Sequence, residues 1–250
     1  MPRYRLLIEY HGGPFQGWQK LPGVPTVQGT LEAAAAKLDG APVEIFGAGR
    51  TDSGVHATGQ VAHMDLQTDR GRKVADAMNF HLRPHPIAVL KAEEVTQDFH
   101  ARFNATQRHY RYVIVNRRAD LALDRGLAWR VPSKLSAEKM HEAAQALVGT
   151  HDFSTFRDSD CQALTPVKTL NEIRVWQEGE RIIVTCRAQS FIHRQVRSMV
   201  GSLVDVGRGK QPVGWIADIL AAADRTQCGP IAPADGLYLT QVDYGQAEPS

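Results

Sequence analysis

The sequence predicts an α+β fold of two ferredoxin-like halves, their mostly antiparallel sheets joined and flanked by helices. Three observations predict it. Strand-period and helix-period apolar patterns follow the order β-α-β-β-α-β over residues 3–95. The same order returns more loosely from residue 109. No Pro/Gly/Ser-rich linker separates the halves, which are expected to meet near residues 100–107, with 1–104 as the first and 105–250 as the second.

Each element has a local reason. In Arg3–Tyr10 the residues Tyr4, Leu6, Ile8 and Tyr10 alternate with Arg3, Arg5 and Glu9, as in a half-buried strand. Thr26 can cap a helix to about Lys37, with Val27, Leu31, Ala34, Ala35 and Leu38 on one face. Strands are expected near Val43–Phe46 and Gln60–Gln67, then a helix over Arg72–Leu82 stopped by Pro84, then a strand over Ile87–Val95. In the second half, strands fit His109–Asn116 and about Leu127–Val131. A helix fits Ser136–Val148, capped by Ser136 and stopped by Gly149. Thr169–Gln177 and Arg181–Gln189 form strands around a turn at Glu178–Gly179. Helices over about Ile192–Val206 and Val213–Ala223 precede a last strand, Leu237–Asp243.

With 43% hydrophobic and 22% charged residues, the 250-residue chain can bury a core, which excludes intrinsic disorder. No apolar run reaches the length of a membrane span, and the start, with charges inside its short apolar stretch, does not read as a secretion signal. Three scattered cysteines, Cys161, Cys186 and Cys228, form neither a disulfide framework nor a CxxC knuckle, and suit a reducing cytoplasm. The net charge of +2 hides a pattern. Of 29 basic residues 21 are arginine, which suits phosphate and base recognition, although a GC-rich genome gives the same bias. Phe99–Asn116 holds Arg102, Arg108 and Arg111 and no acid, and a second basic stretch runs from Arg187 to Lys210 with Asp205 its only acid. Interleaved with Phe103, Tyr110, Tyr112 and Phe191, these stretches fit a groove for a nucleic-acid strand. Solvated charges on strands and a helix are the plainer reading.

Several short motifs fail on context. Gly47-Ala48-Gly49 lacks the third glycine and the following helix of a dinucleotide site, and Gly209-Lys210 lacks phosphate-loop spacing. His11-Gly12-Gly13 has no GxSxG nucleophile to serve, and Pro84 breaks any helix that would align His81 with His85 on a metal. Neither a cofactor nor a metal site is expected. One loop remains: Gly47-Ala48-Gly49-Arg50-Thr51-Asp52-Ser53-Gly54-Val55-His56 places a lone carboxylate among three glycines, with Arg50 two residues before it. Read by itself, it is a hairpin in which Asp52 makes an Asx-turn, or a site where a ligand approaches closely. Asp52-Ser53-Gly54 also matches the aspartic-protease triplet, but that chemistry needs two carboxylates and the triplet occurs once.

In family order, these segments resemble the TruA-type tRNA pseudouridine synthases. GRTDSGVHATGQVAHM resembles their G-R-T-D-x-G-V-H core, and Phe15-Gln16-Gly17-Trp18-Gln19 their Gly-Trp-Gln element. Val27-Gln28-Gly29-Thr30-Leu31-Glu32 is similar to their early helix start. Phe99-His100-Ala101-Arg102-Phe103 and Arg108-His109-Tyr110-Arg111-Tyr112 resemble their F-x-A-R-F and Y-R-Y pair. Phe191–Arg197 resembles F-L/I-H-x-x-V-R, and Gly236-Leu237-Tyr238-Leu239 the closing strand.

The resemblance implies the pseudouridine synthase fold, a cofactor-free isomerisation of uridine, and tRNA as substrate at positions 38, 39 and 40 of the anticodon stem-loop. It implies Asp52 as the nucleophile, with the attack at C1′ or at the base left open, and Arg197 as its ion-pair partner. Arg50 grips phosphate or places the flipped nucleotide, and Tyr110 stacks on the target base. From the residues alone, sheet packing is the stronger reading of Tyr110. His56 is a further substrate contact by the same resemblance, and Gln16, Trp18, Arg102, Arg108, Arg111, His193 and Arg194 are expected to touch RNA. Family members act as homodimers that tRNA crosses. A non-catalytic RNA-binding protein and an aspartic hydrolase are the alternatives.

Overall fold

The computed structural model describes residues 1–67, 69–158 and 164–245, so Cys161 and the polar tail from Gln246 lie outside the described residues. The chain divides into two compact units, Met1–Arg108 with Tyr238–Ser250, and His109–Leu237.

The first unit opens with β1 (Arg3–Tyr10), α1 (Val27–Asp39), β2 (Ile45–Gly47), β3 (His56–Asp65), α2 (Val74–Leu82) and β4 (Ile87–Val95). The alternation of β1 buries Tyr4, Leu6, Ile8 and Tyr10. Thr26 caps α1 through its side chain, which accepts from the Gly29 N–H, and Gly40 ends the helix at φ 80°. The second unit holds β5 (Ala105–Val115), which starts just ahead of it, β6 (Trp129–Arg130), α3 (Ala137–Ala144), β7 (Gly149–Asp152), β8 (Val167–Glu178), β9 (Arg181–Ala188), α4 (Gln195–Gly207) and α5 (Trp215–Ala222). The last strand, β10 (Leu237–Tyr244), is built into the first unit.

In the first unit the strand order is β4-β1-β3-β10, with β2 also on β3. These pairs are antiparallel except β3 with β10, where Tyr238 pairs with His56 and Leu239 with Ala57. In the second unit the order is β5-β9-β8-β7, with β6 parallel to β5. The fold is therefore α+β with mostly antiparallel pairing and flanking helices, as the sequence predicts.

Four expectations change. The final strand, assigned to the second half, pairs with β3 and belongs to the first unit; Gly59 lets the Thr240 carbonyl approach to where a side chain would sit. β3 starts at His56, so the Asp52 loop is shorter than its glycines suggest. β7 was not foreseen: Gly149, at φ 114°, does stop the helical segment, but it then opens a four-residue strand too short to show a period. The helix expected from Ile192 starts at Gln195, because Arg194 takes a left-handed conformation at φ 59°. Among the described residues, no helix is long and apolar enough to cross a membrane. Cys186 is buried, and burial pushes its thiol far up.

Candidate active site

Asp52 sits half-buried between β2 and β3 on a loop tied down on both sides. The Thr51 carbonyl accepts from the Trp18 N–H at 3.0 Å, and the Thr51 hydroxyl shares a 2.8 Å hydrogen bond with the buried Tyr10 hydroxyl. The Val55 N–H returns to the Asp52 carbonyl at 3.1 Å, closing a turn whose third residue, Gly54, needs its φ of 80°. Gly17, at φ 89°, lies where a side chain would come within 2.7 Å of the Thr51 carbonyl. The Ala48 N–H donates to Val61, and Gln60 donates its amide to the Gly49 carbonyl at 2.8 Å. The glycine-rich loop is thus a braced mount: hydrogen bonds hold its backbone on either side of the carboxylate.

Residues expected around Asp52 divide into two groups. Arg50 and Gln16 are exposed, and Gln16 lies near the Ser53 hydroxyl at 3.4 Å. Trp18, His56 and Arg108 are turned inward. The Trp18 indole covers Gly47, where a methyl group would lie 2.5 Å from the ring. His56 accepts from the Gly12 N–H at 3.0 Å through Nδ1 and stacks on Tyr238 at 4.7 Å. Arg108, 9% exposed, donates to the carbonyls of Ala48 at 2.7 Å, Arg102 at 2.8 Å and Ala105 at 3.1 Å. These three were expected to contact substrate or RNA; they are buried, and the contacts described above are to the loop and its surroundings.

The Arg108 role is open to test. Arg108→Met keeps the apolar stem and removes the donors, stranding the carbonyls of the buried Ala48 and Ala105. At about 1–3 kcal/mol for each of the two unsatisfied groups, the melting temperature falls by roughly 4–24 °C, as measured by calorimetry. An unchanged melt with a salt-dependent loss of RNA affinity would return Arg108 to the RNA-binding set.

In the second unit, α4 is buried at every position except Arg197. A helix buried all round is a core helix, so the one partly exposed cation on it is a deliberate exception. The Arg197 Nε donates to the Ala232 carbonyl at 2.8 Å, and the Ala232 N–H donates to the Arg197 carbonyl at 3.1 Å. Tyr110 on β5 is half-buried, its ring edge-on to Phe191 at 5.2 Å and 89°. It is less enclosed than Tyr112, whose hydroxyl donates to the Pro233 carbonyl at 2.7 Å. Arg111 and Arg102 are exposed. His193 and Arg194 lie against the buried Asp158, at 3.5 and 2.8 Å, so the Arg194 charge is answered within the protein.

The profile of the tRNA pseudouridine synthases matches residues 7–104 and 143–245. The chain belongs to this family. It is 72% identical over 244 residues to tRNA pseudouridine synthase A of Hyphomonas neptunium, covering 98% of this chain and 99% of that one. Identity is 62% to tRNA pseudouridine synthase A of Maricaulis maris, over 98% of each chain. It is 58% to that of Rhodopseudomonas palustris strain HaA2, over 98% of this chain and all of the relative.

Against the synthase family, Arg50 and Asp52 fall in the first matched segment and Arg197 in the second, while Tyr110 lies between the two. Sequence reasoning about this family member missed the strap behind Arg197. A methyl group on Gly201 of α4 would lie 1.7 Å from the Pro230 carbonyl oxygen, and the Gly229 N–H donates to Ser202 at 3.1 Å. Residues 229–232 thus lie directly on the helix that carries Arg197. A glycine in mid-helix, between Val200 and Ser202, was the available signal.

Proposed function

We propose that this protein isomerises uridine to pseudouridine in the anticodon stem-loop of tRNA, at positions 38, 39 and/or 40, with Asp52 as nucleophile and no cofactor. The observation that carries the reading is the braced Asp52 loop lying inside a family-matched segment. The reaction breaks the N1–C1′ bond and forms a C5–C1′ bond; a proton leaves C5 and one arrives at N1. Atoms are rearranged without net oxidation, so a carboxylate, a held base and a proton acceptor suffice. The uridine must first leave its stack, which costs a few kcal/mol that backbone contacts offset.

Arg197 is the cation proposed to keep the Asp52 carboxylate ionised, and its fixed stem supports that role. The half-open Tyr110 ring is proposed to stack on the turned-out base. Arg50, Gln16, Arg102 and Arg111, all exposed, are proposed as contacts to the RNA. His193 and Arg194 join them as a weaker pair held by Asp158. By resemblance the working form is a cytoplasmic homodimer.

The test is tritium release from tRNA carrying uridine labelled at C5, followed by mapping of pseudouridine in the product. Release with pseudouridine at 38, 39 or 40 is the expected result. RNA binding without release would make the protein a non-catalytic binder.

A further inference from the structure

Apart from Asp52 and its mount, the first unit carries a ladder of aromatic rings that ends in solvent. Phe46 on β2 stacks on its cross-strand partner His63 with centroids 5.0 Å apart and planes at 18°. His100 meets His63 at 4.6 Å and Phe103 at 4.3 Å. Along this run exposure climbs from 2% at His63 to 77% at Phe103.

The turn beneath Phe103 is pinned. The His100 Nδ1 accepts from the N–H groups of Arg102 and Phe103 at 3.1 and 3.4 Å. The Asn104 N–H donates to the His100 carbonyl at 3.1 Å, and the Asn104 side chain accepts from the His100 N–H. Phe103 is therefore held outward by its backbone, forgoing the roughly 1.5–3 kcal/mol that burying such a ring gives. The ladder is also uncharged at neutral pH: burial lowers both histidines, His63 to about 4. The Arg102 guanidinium lies 5.9 Å from the Phe103 ring centre, beside its face.

We propose that Phe103, backed by this ladder and flanked by Arg102, is a second stacking platform that takes an unpaired nucleobase of the bound RNA, distinct from the uridine that reacts. The proposal rests on the tRNA reading above. An uncharged flat ring suits any base, and such stacking contributes about 1–3 kcal/mol. The charge around it selects the occupant. Arg102 stands in a stretch, Phe99–Arg118, that has no acid, which complements a phosphate backbone. An apolar protein partner would have to desolvate the Arg102 guanidinium without an answering carboxylate.

Phe103→Leu keeps an apolar side chain but removes the π-face, whereas Phe103→Trp enlarges it. Binding of full-length tRNA at fixed salt is measured by fluorescence anisotropy, with melting curves of both variants as a folding control. Phe103→Leu is expected to weaken the Kd about tenfold at an unchanged melt, while Phe103→Trp binds at least as tightly as the parent. With p-benzoylphenylalanine at position 103, irradiation is expected to give an RNA adduct at a nucleotide outside 38–40. Equal affinity of Phe103→Leu and the parent, or a cross-link to a second copy of the chain alone, overturns the platform. A parent protein that binds tRNA but releases no tritium would strike the isomerase reading alone, since the affinity loss in Phe103→Leu is read independently.

Discussion

Asp52→Ala is expected to lose tritium release from C5-labelled tRNA by roughly 10⁴-fold or more, the scale on which removal of a nucleophile acts, while still binding tRNA. Groups other than the side chain hold the loop on both sides of it. Thr51 is held by the Trp18 N–H and the Tyr10 hydroxyl, and the turn closes through the Asp52 carbonyl, which alanine keeps. Asp52→Asn, nearly isosteric, should be as inactive, which separates charge and nucleophilicity from volume. Parental turnover in Asp52→Ala would sink the proposed mechanism.

Arg197→Lys is expected to lower kcat by about 10- to 100-fold and to change tRNA affinity less than threefold. Arginine fixes its guanidinium through the Nε bond to the Ala232 carbonyl, and in the proposed ion pair its planar fork engages the Asp52 carboxylate as well. Lysine has one ammonium and cannot do both. Loss of a hydrogen bond to a charged group costs about 1.5–3 kcal/mol, which matches that range of rates. Steady-state kinetics beside direct binding measures the split. Equal losses of turnover and affinity would make Arg197 an RNA-positioning residue.

Much of this was legible in the sequence, and what was not has physical reasons. β1 and β4 fall on their expected bounds because a half-buried strand shows its period residue by residue. The start of α1 follows from Thr26, whose capping chemistry is local, while its end at Asp39 lies two residues past the expected Lys37. The position of Asp52 on a constrained loop was readable from Gly47, Gly49 and Gly54, but not the cause of the constraint. Gly47 is small because Trp18 covers it, a contact between residues 29 apart in sequence. Arg108 shows the opposite case. In a basic stretch every arginine looks alike, and only packing reveals that this one points inward to three carbonyls. Arg194 hid the true start of α4, since the apolar spacing continues through it although its backbone is left-handed.

The return of β10 to β3 bears on how the protein is made. The first unit is discontinuous: Thr106 donates to the Asp243 carbonyl at 3.1 Å, Tyr244 to the Ala101 carbonyl at 2.7 Å, and Gly59 lies against Thr240. A ribosome that has released residues 1–108 has therefore not supplied all of the sheet that carries the Asp52 loop. Until Leu237–Tyr244 emerges, the β3 edge beside His56 stays open, and an open edge invites pairing with the wrong chain. Completion of the Asp52 scaffold is thereby deferred until the whole of the second unit has been translated.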